Sequence, residues 1–226
     1  MVLIEQLLTT HEVTTLRQRL DQVPWRDGKR TAMGMAADVK QNVQADSDDL
    51  VVQQLSLSLL AKFGANPKLV SAVLPSKFFP PCFNRYGIGE HYGFHVDAAV
   101  MRIPSSIDIL RSDMSMTLFL SEPDEYEGGE LVIKTEFGEQ RVKPRAGDAV
   151  TYPSSSLHRV LPVTKGIRVA AITWMQSMVQ DTHIRESLFE LDQSIQQLLE
   201  NDNVSREILD NLHHVYHNLI RKHAVI

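Results

Sequence analysis

Apolar residues recur in three different rhythms along the chain, and each rhythm predicts a different kind of structure. Val13, Leu16 and Leu20 have helical spacing, and Thr9 with Glu12 makes a capping box, so a helix is expected over Thr9–Gln22, stopped by Pro24. Trp25–Val43 reads as strand and loop, with Gly28 and Gly34 as breakers. A second helix is expected after the acidic cap Asp46-Ser47-Asp48-Asp49, carrying Leu50, Val51, Leu55, Leu59 and Leu60 as far as Phe63. Gly64-Ala65-Asn66-Pro67 ends it, and a short helix follows over Lys68–Val73. From Ser76 to Ser177 the rhythm becomes short or alternating apolar runs separated by turn chemistry. Strands are expected at Lys77–Tyr86, Tyr92–Asp97, Ser115–Leu120, Glu130–Lys134, Glu139–Val142, Ala149–Tyr152, His158–Val163 and Ile167–Gln176. That density of short strands suggests a barrel or jelly roll. The long connection Ala98–Asp113 interrupts them and is a candidate lid. In the tail, Ile184, Leu188, Leu191, Ile195 and Leu198 form a heptad-like stripe. After Asn201-Asp202-Asn203, Ile208, Leu212, Val215 and Leu219 form a second one, with Tyr216 a further candidate for the inward face.

The chain thus divides into an N-terminal helical and strand support region (residues 1–75), a β core (76–177) and a C-terminal two-helix extension (178–226). The expected fold class is α+β with a mainly β core. The two tail stripes must be buried against the core, each other or a second subunit, and a homo-oligomer assembled through the tail is the expectation.

Composition narrows the function. The 226 residues are 43% hydrophobic and 23% charged, as in soluble globular proteins, and the net charge of −5 carries no clustered basic segment. Nucleic acid is therefore not expected as the main partner. The single cysteine, Cys82, excludes an intrachain disulfide and a Cys-rich zinc site, and it reads as a small apolar strand residue. Met1-Val2-Leu3-Ile4-Glu5 lacks the basic start and long apolar core of a signal peptide, and no run of about 18 apolar residues is present. A cytoplasmic location and no membrane association are expected.

One triplet carries chemistry. On a strand His95 and Asp97 point to the same side, offering an imidazole nitrogen and a carboxylate oxygen together. A second histidine on a returning strand would complete the two-His, one-carboxylate facial set that leaves three positions of Fe(II) open. His158, after the Pro153-Ser154-Ser155-Ser156 turn, is the candidate. Ten residues later, past Lys165-Gly166, a strand-turn-strand step would bring Arg168 back beside it, where a guanidinium can hold a carboxylate bidentately. A 2-oxoacid could then occupy two open positions and O2 the third, with a second carboxylate on Arg168. The other candidates have simpler readings. His91 is a rim residue, Tyr92 core packing, and His213, His214 and His217 a solvated face. Met114, Met116 and Met175 are core, and Arg102 and Arg111 are surface arginines that could reach an anionic substrate.

Tyr86-x-x-Gly89-x-x-Tyr92-x-x-His95-x-Asp97 resembles the signature of the prolyl 4-hydroxylase-like Fe(II)/2-oxoglutarate dioxygenases. Gly128-Gly129-Glu130-Leu131, Gly147-Asp148, Pro153-x-x-x-Leu157-His158-x-Val160 and Gly166-x-Arg168 match its downstream landmarks. With its helical tail, the whole chain is similar to the bacterial PKHD-type hydroxylases. The resemblance implies a double-stranded β-helix (jelly roll), and a reaction that consumes O2 and 2-oxoglutarate, releases CO2 and succinate, and hydroxylates a C–H bond of a small-molecule or peptidyl substrate. It implies Fe(2+) on His95, Asp97 and His158, L-ascorbate as reductant, the distal carboxylate of 2-oxoglutarate on Arg168, and a hydrogen bond to that cosubstrate from Tyr86. A link to iron uptake or siderophore handling comes with it. One departure is that some relatives place a carboxylate-binding tyrosine where this chain has Leu118-Phe119. The alternative on the same barrel is a non-catalytic sensor or interaction module binding iron or a 2-oxoacid. A zinc hydrolase is disfavoured because no general base lies near the ligands.

Overall fold

A computed structural model describes residues 1–32, 34–104 and 106–225. The chain begins with β1 (Val2–Ile4) and α1 (Thr10–Leu20). The capping box forms as expected. The Glu12 N–H donates to Thr9 Oγ1 at 3.3 Å and the Thr9 N–H to Glu12 Oε2 at 2.8 Å, satisfying donors that a helix start leaves open. Next come β2 (Trp25–Asp27), a 3-10 turn at Gly28–Thr31, α2 (Met35–Asp38), β3 (Lys40–Gln41) and β4 (Val43–Ala45). Asp49 caps α3 (Leu50–Ala65) by accepting from the N–H groups of Val51 and Val52. Asn66 caps α4 (Pro67–Val73), whose proline occupies a first-turn position where no N–H is needed.

The β core follows as β5 (Pro75–Phe78), β6 (Cys82–Tyr86), β7 (His91–His95), β8 (Val100–Arg102), β9 (Ile109–Arg111), β10 (Met114–Phe119) and β11 (Tyr126–Gly128). It continues through β12 (Leu131–Thr135), β13 (Gly138–Val142), β14 (Ala149–Pro153), β15 (His158–Val160), β16 (Val163–Gly166) and β17 (Arg168–Ser177). The tail is α5 (Thr182–Leu199) and α6 (Arg206–His223). Among the described residues, one sheet has the order β1-β14-β10-β17-β6-β4-β2, with β5 also on β17, and a second has the order β13-β12-β15-β7-β3. All these ladders are antiparallel. The two sheets form the jelly-roll core that the eight-strand pattern anticipated.

Strand alternation gives the larger sheet two different faces. On β10, Met114, Met116 and Leu118 join Val169, Ala171 and Met175 of β17 in a core shared with Leu16 and Leu20 of α1, Leu55, Leu59 and Phe63 of α3, and Leu69 of α4. The intervening residues Ser115, Thr117, Arg168 and Ile172 line a cavity between the sheets. The helices thus back the larger sheet, while its polar face is left for the cavity.

The structure departs from the sequence expectations where backbone chemistry overrides side-chain pattern. Lys77–Tyr86 is two strands, β5 and β6, because Pro80-Pro81 lacks N–H donors. His158–Val163 also divides, with Pro162 between β15 and β16, and β16 leaves its sheet to pair with β11. The Ala98–Asp113 connection contains its own hairpin, β8–β9. The N-terminal region is more than support, since β1, β2, β3 and β4 are hydrogen-bonded into the two sheets. On α6 the expected inward face holds for Leu219 and the further candidate Tyr216 and fails for Ile208 and Val215. Tyr216, Leu219 and Ile220 pack with Leu188 and Val179, while Ile208 and Val215 are about half exposed. On α5, Leu188 and Ile195 are buried as expected, and Arg185 is buried with them.

Candidate metal centre

β7 and β15 are hydrogen-bonded neighbours with His95 opposite His158, which brings the two imidazoles to one face with ring centroids 4.2 Å apart. β7 ends at His95, so Asp97 lies just beyond the strand, yet its carboxylate still reaches the same point. Donor atoms from His95, Asp97 and His158 all lie within 4.8 Å of one another, and His158 Nε2 is 3.8 Å from Asp97 Oδ2.

The second atom of each side chain is fixed. His95 Nδ1 lies 2.9 Å from the Gly93 carbonyl oxygen and His158 Nδ1 lies 3.0 Å from that of Ser156. A carbonyl only accepts, so both Nδ1 atoms carry the proton and both Nε2 lone pairs are free to ligate. Burial, followed by repulsion from His158, pushes His95 down to about 4, which leaves it in the neutral form a metal requires. Ser115 Oγ donates to Asp97 Oδ2 at 2.5 Å and meets Ser154 Oγ at 2.7 Å, so one carboxylate oxygen is held from behind. Two imidazoles turned by their Nδ1 contacts and an anchored carboxylate suit a borderline divalent ion with open positions.

The triad opens into a cavity of about 200 Å³. Strand register orders this cavity by depth. Ser115, opposite Trp174, stands at the level of Asp97, while Phe119, opposite Ala170, is four residues or roughly 13 Å further along the strand. Arg168 lies at that deep end, 2% exposed, its guanidinium 5.2 Å from both the Phe119 and Tyr86 ring centroids. Its Nε has no hydrogen-bond partner, and no carboxylate among the described residues pairs with it. A buried guanidinium without a counter-ion is costly, and here it faces the cavity. Tyr86, opposite Arg168 and 2% exposed, has its hydroxyl pushed up to about 12 by burial, so it remains a protonated donor. Gly166, at φ +74°, makes the turn into Arg168; a Cβ there would lie 2.0 Å from the Glu125 carbonyl oxygen.

All five residues singled out for the site (His95, Asp97, His158, Arg168 and Tyr86) line this one cavity. Two other expectations change. Tyr92 is not simply core, because its ring stacks on His95 at 3.6 Å and lines the cavity. Arg111 is not free for substrate. It forms a two-pronged pair with Asp113 at 2.7 and 2.9 Å and donates to the Ser177 carbonyl, fastening the end of the hairpin to β17. Cys82 opens β6, in keeping with its reading as a small strand residue. Ser115, Tyr152 and Lys40 line the cavity as well, with no sequence motif to mark them. Each looks like an ordinary strand residue until register places it in the cavity.

The profile of the 2OG-Fe(II) oxygenase superfamily matches residues 81–176, and that of the PKHD-type hydroxylase C-terminal domain matches residues 183–224. A PKHD-type hydroxylase of Alteromonas mediterranea is 62% identical over the full length of both chains. The chain belongs to the PKHD-type hydroxylases. Another, from Shewanella frigidimarina, is 61% identical over 98% of each chain. Among solved structures, this hydroxylase is similar to a Pseudomonas putida prolyl-4-hydroxylase, with TM-score 0.52 and 21% identity over 78% of this chain and 91% of that one. It is also similar to HygX from Streptomyces hygroscopicus, solved with nickel, 2-oxoglutarate and hygromycin B, with TM-score 0.51 and 14% identity over 79% and 83% of the two chains. At those identities the likeness is one of fold, and it agrees with the jelly roll described above. As a PKHD-type hydroxylase the chain is a dioxygenase, which sets aside the non-catalytic alternative. Among the described residues no helix is long and apolar enough to cross a membrane.

Proposed function

We propose that this hydroxylase binds Fe(II) through His95, Asp97 and His158, anchors 2-oxoglutarate on Arg168, and converts a substrate C–H to C–OH. Per turnover one O2 and one 2-oxoglutarate are consumed, and one CO2 and one succinate are released. One oxygen atom goes to the substrate and the other to succinate. The observation that carries this reading is the unpaired, buried Arg168 guanidinium at the base of the cavity that holds the triad. A dicarboxylic 2-oxoacid is a ligand with a group for each end. Iron at the triad would supply the activation of O2. The protein's own residues do the positioning. Ser115 fixes Asp97, the Gly93 and Ser156 carbonyls fix the imidazole tautomers, and Tyr86 supplies a neutral hydrogen-bond donor beside Arg168. The stacked Tyr92 ring excludes water from one side of His95. L-ascorbate would serve as the external reductant that keeps bound iron in the Fe(II) state. The link to iron acquisition rests on the sequence resemblance.

Anaerobic addition of Fe(II) and 2-oxoglutarate should produce a weak visible charge-transfer band, and admitting O2 should yield succinate and CO2 in equal amounts. Absence of the band in the wild-type protein, or its persistence in Asp97→Ala, overturns the assignment.

A further inference from the structure

A second buried cation lines the same cavity. Lys40 of β3 is 4% exposed and stands opposite Tyr92, its Nζ 5.2 Å from the centre of that ring. Its ammonium has three N–H groups and one hydrogen-bond partner, Thr31 Oγ1 at 3.0 Å. That hydroxyl is already engaged by the Gly28 carbonyl at 3.0 Å and by the side chain of Gln44. No carboxylate among the described residues pairs with Lys40; Asp97 and Asp27 act on it only from a distance. Lysines are almost never buried without a partner. Burial pushes this one down to about 8, still a cation at neutral pH.

Charge balance shows what is missing. The formally charged side chains lining the cavity are Lys40 and Arg168 against the single carboxylate of Asp97. A divalent metal and a doubly charged 2-oxo diacid cancel one another, which leaves one positive charge unmatched. Arg168 lies at the deep end, beside Tyr86 and Phe119. Lys40 lies on the flank formed by β3 with Thr31, Ala32 and Ala36, close to solvent-exposed Thr31.

We infer that Lys40 recognises an acidic group, a carboxylate or phosphate oxyanion, on the molecule that is hydroxylated. This rests on the function proposed above. It adds that the prime substrate is an acid, and that one wall of the cavity is built for it.

The test uses the anaerobic Fe(II)–2-oxoglutarate complex and three probes: benzoate, inorganic phosphate and the neutral control benzamide. At least one of the two anions should perturb the visible band saturably, and benzamide should not. A response to benzoate alone assigns a carboxylate, and a response to phosphate alone assigns a phosphate. Lys40→Met should weaken the anion response at least about tenfold, the loss of one charge-assisted contact, while Lys40→Arg keeps it. Titration of 2-oxoglutarate itself should stay within about twofold of wild type in both variants. Equal responses to benzoate and benzamide, no response to either anion, or an unchanged response in Lys40→Met overturns the inference. A parallel loss of 2-oxoglutarate affinity in Lys40→Met also overturns it, because Lys40 would then be a cosubstrate anchor. Should the wild-type protein give no band, the proposed function fails, and Lys40 is then read by another route. Reductive methylation of the metal-free wild-type protein, followed by peptide mass analysis, should show Lys40 protected by an anion and not by benzamide. Equal labelling under all conditions overturns the inference.

Discussion

Replacing Arg168 by leucine separates what the arginine does for the empty protein from what it does for the cosubstrate. In the protein alone the guanidinium is 2% exposed, flanked by two aromatic rings and paired with no carboxylate, so it opposes folding except for what the rings return. An apolar side chain of similar bulk removes that desolvation cost, and the metal-free variant should melt no lower than wild type. The cosubstrate should respond in the opposite way. Losing one partner of a buried, hydrogen-bonded charge pair costs about 2–5 kcal/mol. At 1.4 kcal/mol per decade, the dissociation constant of 2-oxoglutarate should rise roughly 30-fold to 4,000-fold. The decisive control is 2-oxobutanoate, which keeps the chelating end and lacks the second carboxylate. Wild-type protein should prefer 2-oxoglutarate by the same large factor, and Arg168→Leu should bind the two acids alike. Anaerobic titration followed through the charge-transfer band, or calorimetry with Mn(II) in place of iron, measures both constants in both proteins. If Arg168→Leu retains most of the preference for the diacid, the distal carboxylate is held elsewhere and the reasoning from the unpaired guanidinium fails.

Three further outcomes are expected. Ser115→Ala removes the hydroxyl held 2.5 Å from Asp97 Oδ2 and should weaken metal binding about 10–100-fold, measured by Fe(II) or Co(II) titration, with little change in melting temperature. Glu12, held down to about 2 by its ion pair with Lys62 and its bonds to Thr9, lies below its ordinary value near 4.5. Its stabilisation is therefore fully present above about pH 4.5 and fades as pH falls towards 2, so the stability gap between wild type and Glu12→Gln in denaturant unfolding should close over that window. The pair is largely solvated, so the gap at neutral pH should be at most about 1 kcal/mol. Gly166→Ala forces a side chain into a left-handed turn against the Glu125 carbonyl, and should cost about 1–3 kcal/mol of stability, seen as a lower melting temperature together with weaker 2-oxoglutarate binding.

Much of the fold was legible because its signals were local. The Thr9–Glu12 box and the Asp49 cap each announce a helix through residues within one turn, whereas Asn66-Pro67, read as the end of one helix, also caps the next. The triad was legible for a different reason. His95 and Asp97 are close in sequence, and Arg168 returns to the site by a short strand-turn-strand step after His158, so little long-range geometry had to be guessed. What stayed hidden depends on pairing between distant strands. Lys40 is an unremarkable lysine until β3 is placed beside β7, and Ser115 has no pattern that separates it from Thr117 until β10 is set against β17. The split at Pro162 was misread because the apolar run continues across it even though the hydrogen-bond partner changes from one sheet to another. On α6, half-exposed apolar residues lie on two adjacent faces, and sequence spacing alone does not choose between them.

The depth of Arg168 dictates a queue. The inner face of β17 passes from fully buried Arg168 and Ala170 to half-exposed Ile172 and Trp174, so the cavity closes at one end and opens at the other. A molecule destined for the floor must travel past the triad before anything settles above it. On the proposed function, a diacid held by Arg168 would be first in and, once shortened to succinate, last out. Saturating acceptor should then trap the spent diacid, and product release would set the pace of the cycle rather than bond-making.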